Sequence, residues 1–428
     1  MSGRPLLDAA WVVLAVLALN SCARLIGLTE NYYIASGGEG GNAGLETAGG
    51  ADVSAGNGGS AATAGSATSA GASGVGGNGG LGAGAGADAG LAGDGGAGDA
   101  PGLFVPPGKL VFERYSTYAA GDSKMYVVSF PGGTIGPELT ASYKICSPYN
   151  GIFSPDGSHL VVGAVPGTTP CPSTLDRNKL ELFILDLDHP PSMQRVTNNT
   201  TPDEDPQYSP DGTFILFKHD GYTRRWVVSS TPFNETACKD PNGSYCFNSS
   251  GEPQTKPVVS DTGLVCYEQS QNQSDPDGDI YCFNLADGLA GKDISSDANR
   301  IHAINHNSIY DSRPVIAAPY LYFTRWRVPA APHVNFIQRT LLSNLTGTDE
   351  SCAFCTDPGT GYEDAFSLGE GDLVVFSSNA NGMGKGDLFV ANFSGQESRS
   401  INDFAPGVNT ALDELGAAYW HAPPAPTP

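Results

Sequence analysis

The feature that most restricts this chain is a strand–turn–strand unit that returns at a regular interval. Phe153-Ser154-Pro155-Asp156-Gly157 leads into Leu160-Val161-Val162, and Tyr208-Ser209-Pro210-Asp211-Gly212 leads into Phe214-Ile215-Leu216-Phe217. Val259-Ser260-Asp261-Thr262-Gly263 precedes Leu264-Val265-Cys266-Tyr267, and Phe366-Ser367 precedes Leu373-Val374-Val375-Phe376. Proline presets φ at the second turn position, aspartate caps nearby backbone, and glycine accepts positive φ, so each reads as two strands around a tight turn. A third strand follows: Leu182–Leu185, Trp226–Val228, Asp279–Phe283 and Asp387–Val390. A looser copy runs through Val315-Ile316, Tyr320–Phe323 and Asn335–Ile337. With Phe153, Tyr208, Val259, Ile316, Phe366 and Tyr419 as equivalents, the steps are 55, 51, 57, 50 and 53 residues. That period suits the four-stranded blades of a β-propeller.

The ends set the blade count. Asp413–Trp420 reads as an inner strand with no blade after it. Lys109–Phe112 and Met125–Val128 read as second and third strands with no inner strand before them. Joining the two completes a sixth sheet and removes two exposed edges, a liability in β proteins. The expected fold is therefore all-β, a six-bladed propeller over residues 104–428 closed by strands from both ends, with no amphipathic helix.

The Ser-Pro-Asp-Gly turn with a Asp-Ile-Tyr-type third strand resembles the WD40-like (PD40) repeat of TolB-type propellers, over about 315 residues. The resemblance implies architecture far more than function. TolB-type proteins carry an α/β domain ahead of the propeller, where this chain has a glycine-rich tract, so their role does not transfer.

Ahead of the repeats, Arg4 and the uncharged run Ala9–Leu19 form a signal-like leader too short to span a bilayer. The run ends in Leu19-Asn20-Ser21-Cys22, which resembles a bacterial lipobox. It implies a signal peptide over residues 1–21, lipidation of Cys22, and a mature N-terminus over 22–35. Ala23-Arg24 follow without an aspartate, which by analogy with enteric lipoprotein sorting implies the outer membrane, facing either the periplasm or the outside. Residues 36–103 hold 26 of the 56 glycines and no aromatic residue, lysine or arginine. Such a tract cannot bury enough apolar surface to offset chain entropy and is expected to be a disordered tether. Its root-mean-square reach is about 45 Å.

The formal net charge is −23. An acidic surface repels phosphate backbones, which excludes nucleic acid as a partner. Apart from Cys22, the eight cysteines suggest four disulfides in an oxidising compartment. Cys266 and Cys282 fall on neighbouring strands, Cys238 and Cys246 flank one loop, and Cys146 stands before the second blade's inner strand with Cys171 in the loop after its second strand, so sequential local pairing is expected. Cys352 and Cys355 form C-x-x-C in what reads as an inter-blade loop beside acids. A structural disulfide there is favoured over redox chemistry or zinc.

Catalytic signals are sparse. There is no G-x-S-x-G, and no stretch remains for an α/β domain. His302 and His306, with Asp311 nearby, have metal-pair spacing but read as loop residues before a blade. Ser274-Asp275-Pro276-Asp277-Gly278-Asp279 has calcium-like spacing without the closing glutamate of an EF-hand, and reads as an Asp-rich hairpin. Asp203-Glu204-Asp205 and Asp413-Glu414 precede inner strands, where acids could bind a structural cation or cap backbone groups. Trp226, Trp326 and Trp420 could build a ligand face, although most such side chains pack between blades. No cofactor is implied. The reading is a monomeric, non-catalytic binding or scaffold lipoprotein that meets an envelope protein or glycan. The alternatives are a polysaccharide lyase or hydrolase with a metal on His302 and His306, and a passive envelope lipoprotein.

Overall fold

The computed structural model describes residues 103–421, except 117–121, 168–170, 172–175, 230, 235–242, 250–252, 273–274, 305–308, 328–334, 347–350, 354–361, 370–371, 380–385 and 395–396. The leader, Cys22 and residues 36–102 of the glycine-rich tract lie outside the described residues, as do Cys238, His306 and Cys355.

The strands form six antiparallel sheets. Blade I begins with β1 (Gly108–Tyr115) and β2 (Lys124–Phe130). Blade II comprises β3 (Ile145–Phe153), β4 (His159–Pro166), β5 (Glu181–Asp186) and β6 (Met193–Arg195). Blade III comprises β7 (Asp203–Tyr208), β8 (Phe214–His219), β9 (Tyr222–Val227) and β10 (Ser244–Cys246). In blade IV they are β11 (Gln254–Val259), β12 (Leu264–Asn272), β13 (Asp275–Asn284) and β14 (Arg300–Ile304). Blade V has β15 (Ile309–Ala317), β16 (Tyr320–Arg327), β17 (Asn335–Leu341) and β18 (Ser351–Ala353). Blade VI has β19 (Tyr362–Ser367), β20 (Leu373–Ser378), β21 (Asp387–Asn392) and β22 (Glu397–Ser400), and β23 (Asp413–His421) then returns to blade I. There β23 pairs with β1 from Gly108↔His421 to Tyr115↔Asp413, giving the order β2-β1-β23. The ring closes by the strand exchange expected from the chain ends. Outside β2, Val128 bridges Ile135 and the Gly136 amide donates to the Val127 carbonyl at 3.0 Å, so the chain covers that edge itself.

The second strands are apolar without interruption because both of their faces are buried. On β4, Leu160 and Val162 pack toward blade I, whereas Val161 packs toward blade III. On β1, Leu110 and Phe112 face blade VI, while Val111 faces blade II. Side chains alternate across a strand, so one run feeds two inter-blade cores. The remaining junctions are filled in the same way by Phe214, Leu216, Val265 and Tyr267, by Cys266, Ile280, Leu321 and Phe323, and by Tyr322, Ile337, Val374 and Phe376.

The turns obey the chemistry of their residues. The Asp156 Oδ1 accepts from the Ser154 hydroxyl at 2.6 Å and from the Ser158 amide at 3.0 Å, and Gly157 takes φ +69°. Asp211 repeats this with Ser209 (2.7 Å) and the Thr213 amide (3.0 Å), and Gly212 takes φ +72°. These turns end the inner strands, so they mark one face of the ring, called here the turn face. The described chain also enters and leaves on that face, at Gly108 and His421.

Short helices α1 (Leu139–Tyr143) and α2 (Leu285–Leu289) connect strands; at five residues neither is long enough to form an amphipathic face. One reading needs correction. Cys352 lies in β18, the outer strand of blade V, and not in an inter-blade loop.

Candidate functional site

The six inner strands share a defect. In each of blades II to VI the register slips near the middle of the strand, between Tyr149 and Ile152, Glu204 and Gln207, Thr255 and Val258, Ser312 and Val315, and Glu363 and Phe366. Blade I slips between the pairs made by Val111 and Glu113. At every slip one residue has positive φ: Asn150 (53°), Asp205 (52°), Lys256 (49°), Arg313 (55°), Asp364 (53°) and Gly416 (58°). These are β-bulges, which bend a strand and re-aim its side chains. Proline follows in three blades, as Pro206, Pro257 and Pro314; it is tolerated in a strand at bulges because no ladder donor is needed there. Left-handed backbone at Lys256 and Arg313 is strained by roughly 1–3 kcal/mol each, so neighbouring contacts must hold it.

The six bulges line a cavity of about 110 Å³ at the ring's centre. Contacts run from blade to blade around it. The Asn150 amide donates to Glu113 Oε1, and the Tyr115 hydroxyl donates to Glu113 Oε2. Asn150 Nδ2 donates to Asp205 Oδ1 at 2.7 Å, and the Lys256 amide donates to Asp205 Oδ2 at 3.3 Å. Glu268 Oε2 accepts from Lys256 Nζ at 3.4 Å and from the Arg313 amide at 3.3 Å. Arg313 Nη1 then pairs with Asp364 Oδ1. Glu113 and Glu268 are almost fully buried, and a buried carboxylate is tolerable only with such partners. At the remaining bulge a Cβ on Gly416 would stand 2.6 Å from Glu113 Oε1, so glycine leaves that carboxylate its place.

Two residues before the bulge, a second set of pairs ties three of the inner strands to the neighbouring strand. Asp203 meets His219 Nδ1 at 2.6 Å, both fully buried. Asp311 accepts from Arg325 Nε at 2.7 Å and from Nη2 at 3.1 Å. Glu414 accepts from Arg114 Nε at 2.7 Å. Burial raises the Glu414 pKa, opposed by its bonds from Thr410 and Arg114.

The flagged acids therefore sit differently from the sequence reading. Asp203, Glu204, Asp205, Asp413 and Glu414 lie within inner strands, not before them. Successive strand residues point apart, so Asp203 goes to His219, Glu204 to Lys218 Nζ (2.9 Å), and Asp205 to the central ring. Asp203, Glu204, Asp205 and Glu414 thus engage protein groups, one of the two roles, capping or cation binding, open to them in the sequence. Among the described residues no three His, Cys, Asp or Glu side chains form a metal-holding group. His302 is also corrected: it lies on β14 rather than in a loop, stacks on Tyr281 at 4.2 Å, and places Nε2 3.0 Å from Asp279 Oδ2. Trp226 is core, its Nε1 donating to the Thr231 carbonyl at 2.9 Å. Trp420 Nε1 donates to the Pro155 carbonyl at 2.9 Å, carrying blade I onto the turn of blade II. Disulfides join Cys146 to Cys171 and Cys266 to Cys282, and Cys246 is disulfide-bonded as well. Sequence reasoning missed the bulge ring, yet Pro206, Pro257 and Pro314 each stand two residues before the aligned positions Tyr208, Val259 and Ile316.

No protein-family model matches the sequence, and no curated protein does. Solved structures that resemble the chain include TolB from Acinetobacter baumannii, at 12% identity and a TM-score of 0.48 over 73% of this chain. A protein assigned as TolB in Agrobacterium tumefaciens matches at 18% identity and a TM-score of 0.44, over 75% of this chain and 100% of its own. A prolyl endopeptidase matches at 10% identity and 0.43, over 68% of this chain and 42% of its own. This chain spans 66% of the length of the Acinetobacter protein. Such low identities concern the path of the propeller and carry no ligand or activity.

Proposed function

We propose that this chain is an exported binding module of the bacterial envelope, held at the outer membrane by lipid on Cys22 and by the tract of residues 36–103. It meets a protein or glycan partner through a face of the propeller. The observation that carries this reading is the ring's centre. Its cavity of about 110 Å³ falls well below the roughly 300–1,000 Å³ of a small-molecule site. Its charged groups are engaged with adjacent blades, which favours recognition across an outer surface over an enclosed substrate. The lipobox-like Leu19–Cys22 supports the anchor, since several acyl chains hold where a single one exchanges.

Two measurements test the reading. Labelled palmitate should enter the full-length chain, and Cys22→Ser should abolish both labelling and recovery in the membrane fraction. Photo-cross-linkers placed on each propeller face should capture one defined envelope component from one face. Labelling that survives Cys22→Ser removes the anchor, and failure to cross-link from either face removes the binding role.

A further inference from the structure

On the turn face, an open groove of about 480 Å³ separates blades II and III. Its floor is apolar, with Ile184 and Tyr208 buried between the blades. Gln194 Nε2 crosses the junction to the Ser229 carbonyl at 2.6 Å and fixes the spacing. Two large apolar side chains stand exposed on the groove, Met193 at 42% and Val228 at 38%. On the other side of the same blade II turn, Trp420 covers the chain and Lys109 Nζ donates to the Gly157 carbonyl at 2.9 Å. The notch toward blade III has no such cover among the described residues.

Asp156, Asp186 and Asp211 line the groove together with His159, whose Nδ1 lies 2.6 Å from Ser158 Oγ, and Asp186 pairs with His189 at 3.1 Å; no lysine or arginine lines it. Asp156 Oδ1 accepts from Ser154 Oγ, the Ser158 amide and Ser158 Oγ, and Asp211 Oδ1 accepts from Ser209 Oγ, the Thr213 amide and Thr213 Oγ1. All of these bonds use one oxygen, and Oδ2 of each carboxylate accepts none from a described residue. Hydroxyls and amides hold both acids ionised without neutralising them: the Ser154 hydrogen bond leads in lowering Asp156 to about 2, and the Ser209 bond leads in lowering Asp211. An apolar floor with exposed aliphatic side chains and charged carboxylates is complementary to alternating aliphatic and cationic groups.

We infer that the groove between blades II and III docks a segment of a partner protein in which lysine or arginine alternates with aliphatic residues. The inference rests on the reading of the chain as a binding module and names its partner chemistry.

The test uses the full-length chain and a fluorescein-labelled peptide, SLRLRLS, with SLELELS as the comparison. Anisotropy should show binding of the basic peptide only, weakening as salt rises from 20 to ~500 mM because exposed charge pairs are screened. Hydrogen exchange should slow at residues 154–159, 184–194 and 208–213. Asp156→Asn with Asp211→Asn keeps an acceptor in each turn and should weaken binding about five- to tenfold, as expected for two exposed charge pairs. Val228→Lys leaves both turns untouched and should weaken binding by a similar factor at an unchanged melting temperature. Equal binding of the two peptides, unchanged affinity in both variants, or protection elsewhere on the ring overturns the inference. So does dimerisation that protects these same residues, since a second copy would then be the occupant. Any of these outcomes leaves the binding-module reading standing; that reading falls only if no envelope component cross-links to either face.

Discussion

The pair Asp311–Arg325 allows a sharp energetic prediction. The two residues are cross-strand partners on β15 and β16. Asp311 is fully buried, the Arg325 side chain is 8% exposed, and two hydrogen bonds join them at 2.7 and 3.1 Å. Arg325→Met keeps much of the side-chain volume but takes the Arg325 cation and its two bonds from a buried carboxylate. Breaking such a pair costs about 3–5 kcal/mol, whereas replacing both partners by apolar groups is neutral or stabilising. With ΔG of unfolding at about 5–15 kcal/mol, the single change removes a large fraction of the total. The thermal midpoint should fall by roughly 4–8 °C for a ring of this size. The double variant Asp311→Leu with Arg325→Met should recover most of that loss. Calorimetry on the wild type, both single variants and the double variant completes the cycle. A single-variant loss under about 1 kcal/mol, the range of solvent-exposed pairs, would refute the assignment of a buried bridge. A double variant as weak as Arg325→Met would refute the reasoning about the buried charge.

Three further outcomes follow from the turns and the disulfides. Gly157→Ala should destabilise by more than Gly212→Ala, because a Cβ at Gly157 runs into the Trp420 ring whereas one at Gly212 stands 3.4 Å from Pro155. Left-handed backbone costs about 1–2 kcal/mol in both variants, and urea titration reads the difference. Asp156 drops from 3.8 to about 2 on folding, led by its bond from Ser154. Its stabilisation is therefore present above 3.8 and lost as pH falls from there toward 2; NMR titration should show this, with Ser154→Ala moving the midpoint upward. Replacing Cys266 and Cys282 by alanine opens a link of separation 16, and replacing Cys146 and Cys171 opens one of 25. Chain entropy sets the losses near ~3 and ~3.5 kcal/mol, measurable by unfolding under non-reducing conditions.

Much of the ring was legible because its central strands are buried on both faces. Leu160–Val162, Phe214–Phe217 and Leu373–Phe376 stand out as apolar runs, and Ser-Pro-Asp-Gly marks where two of them turn. The outer strands were not legible. β6, β10 and β18 have three residues each, too few for alternation to register. β14 has five residues, and its sequence reads as loop, whereas His302 pairs with Tyr281 on a strand. The bulge ring was hidden for a different reason. Left-handed backbone is read from Gly, Asn or Asp; Asn150, Asp205, Asp364 and Gly416 fit that signal but sit inside apparent strands, whereas Lys256 and Arg313 adopt it under the hold of Glu268, Asp205 and Asp364. Asp203-Glu204-Asp205 looked like one acidic edge because a linear sequence does not display that consecutive strand residues face different partners.

Everything inferred about faces, groove and channel depends on β1 and β23 closing one blade. Val111 and Ala418 are register partners there, almost wholly buried, with more than 300 residues of chain between them. Disulfides form only when Cα atoms come within about 7 Å. The variant Val111→Cys with Ala418→Cys, purified under oxidising conditions, should give a single peptide linking positions 111 and 418 by mass spectrometry, with the native disulfides intact. Free thiols at both positions in a folded protein would contradict the closed six-bladed ring.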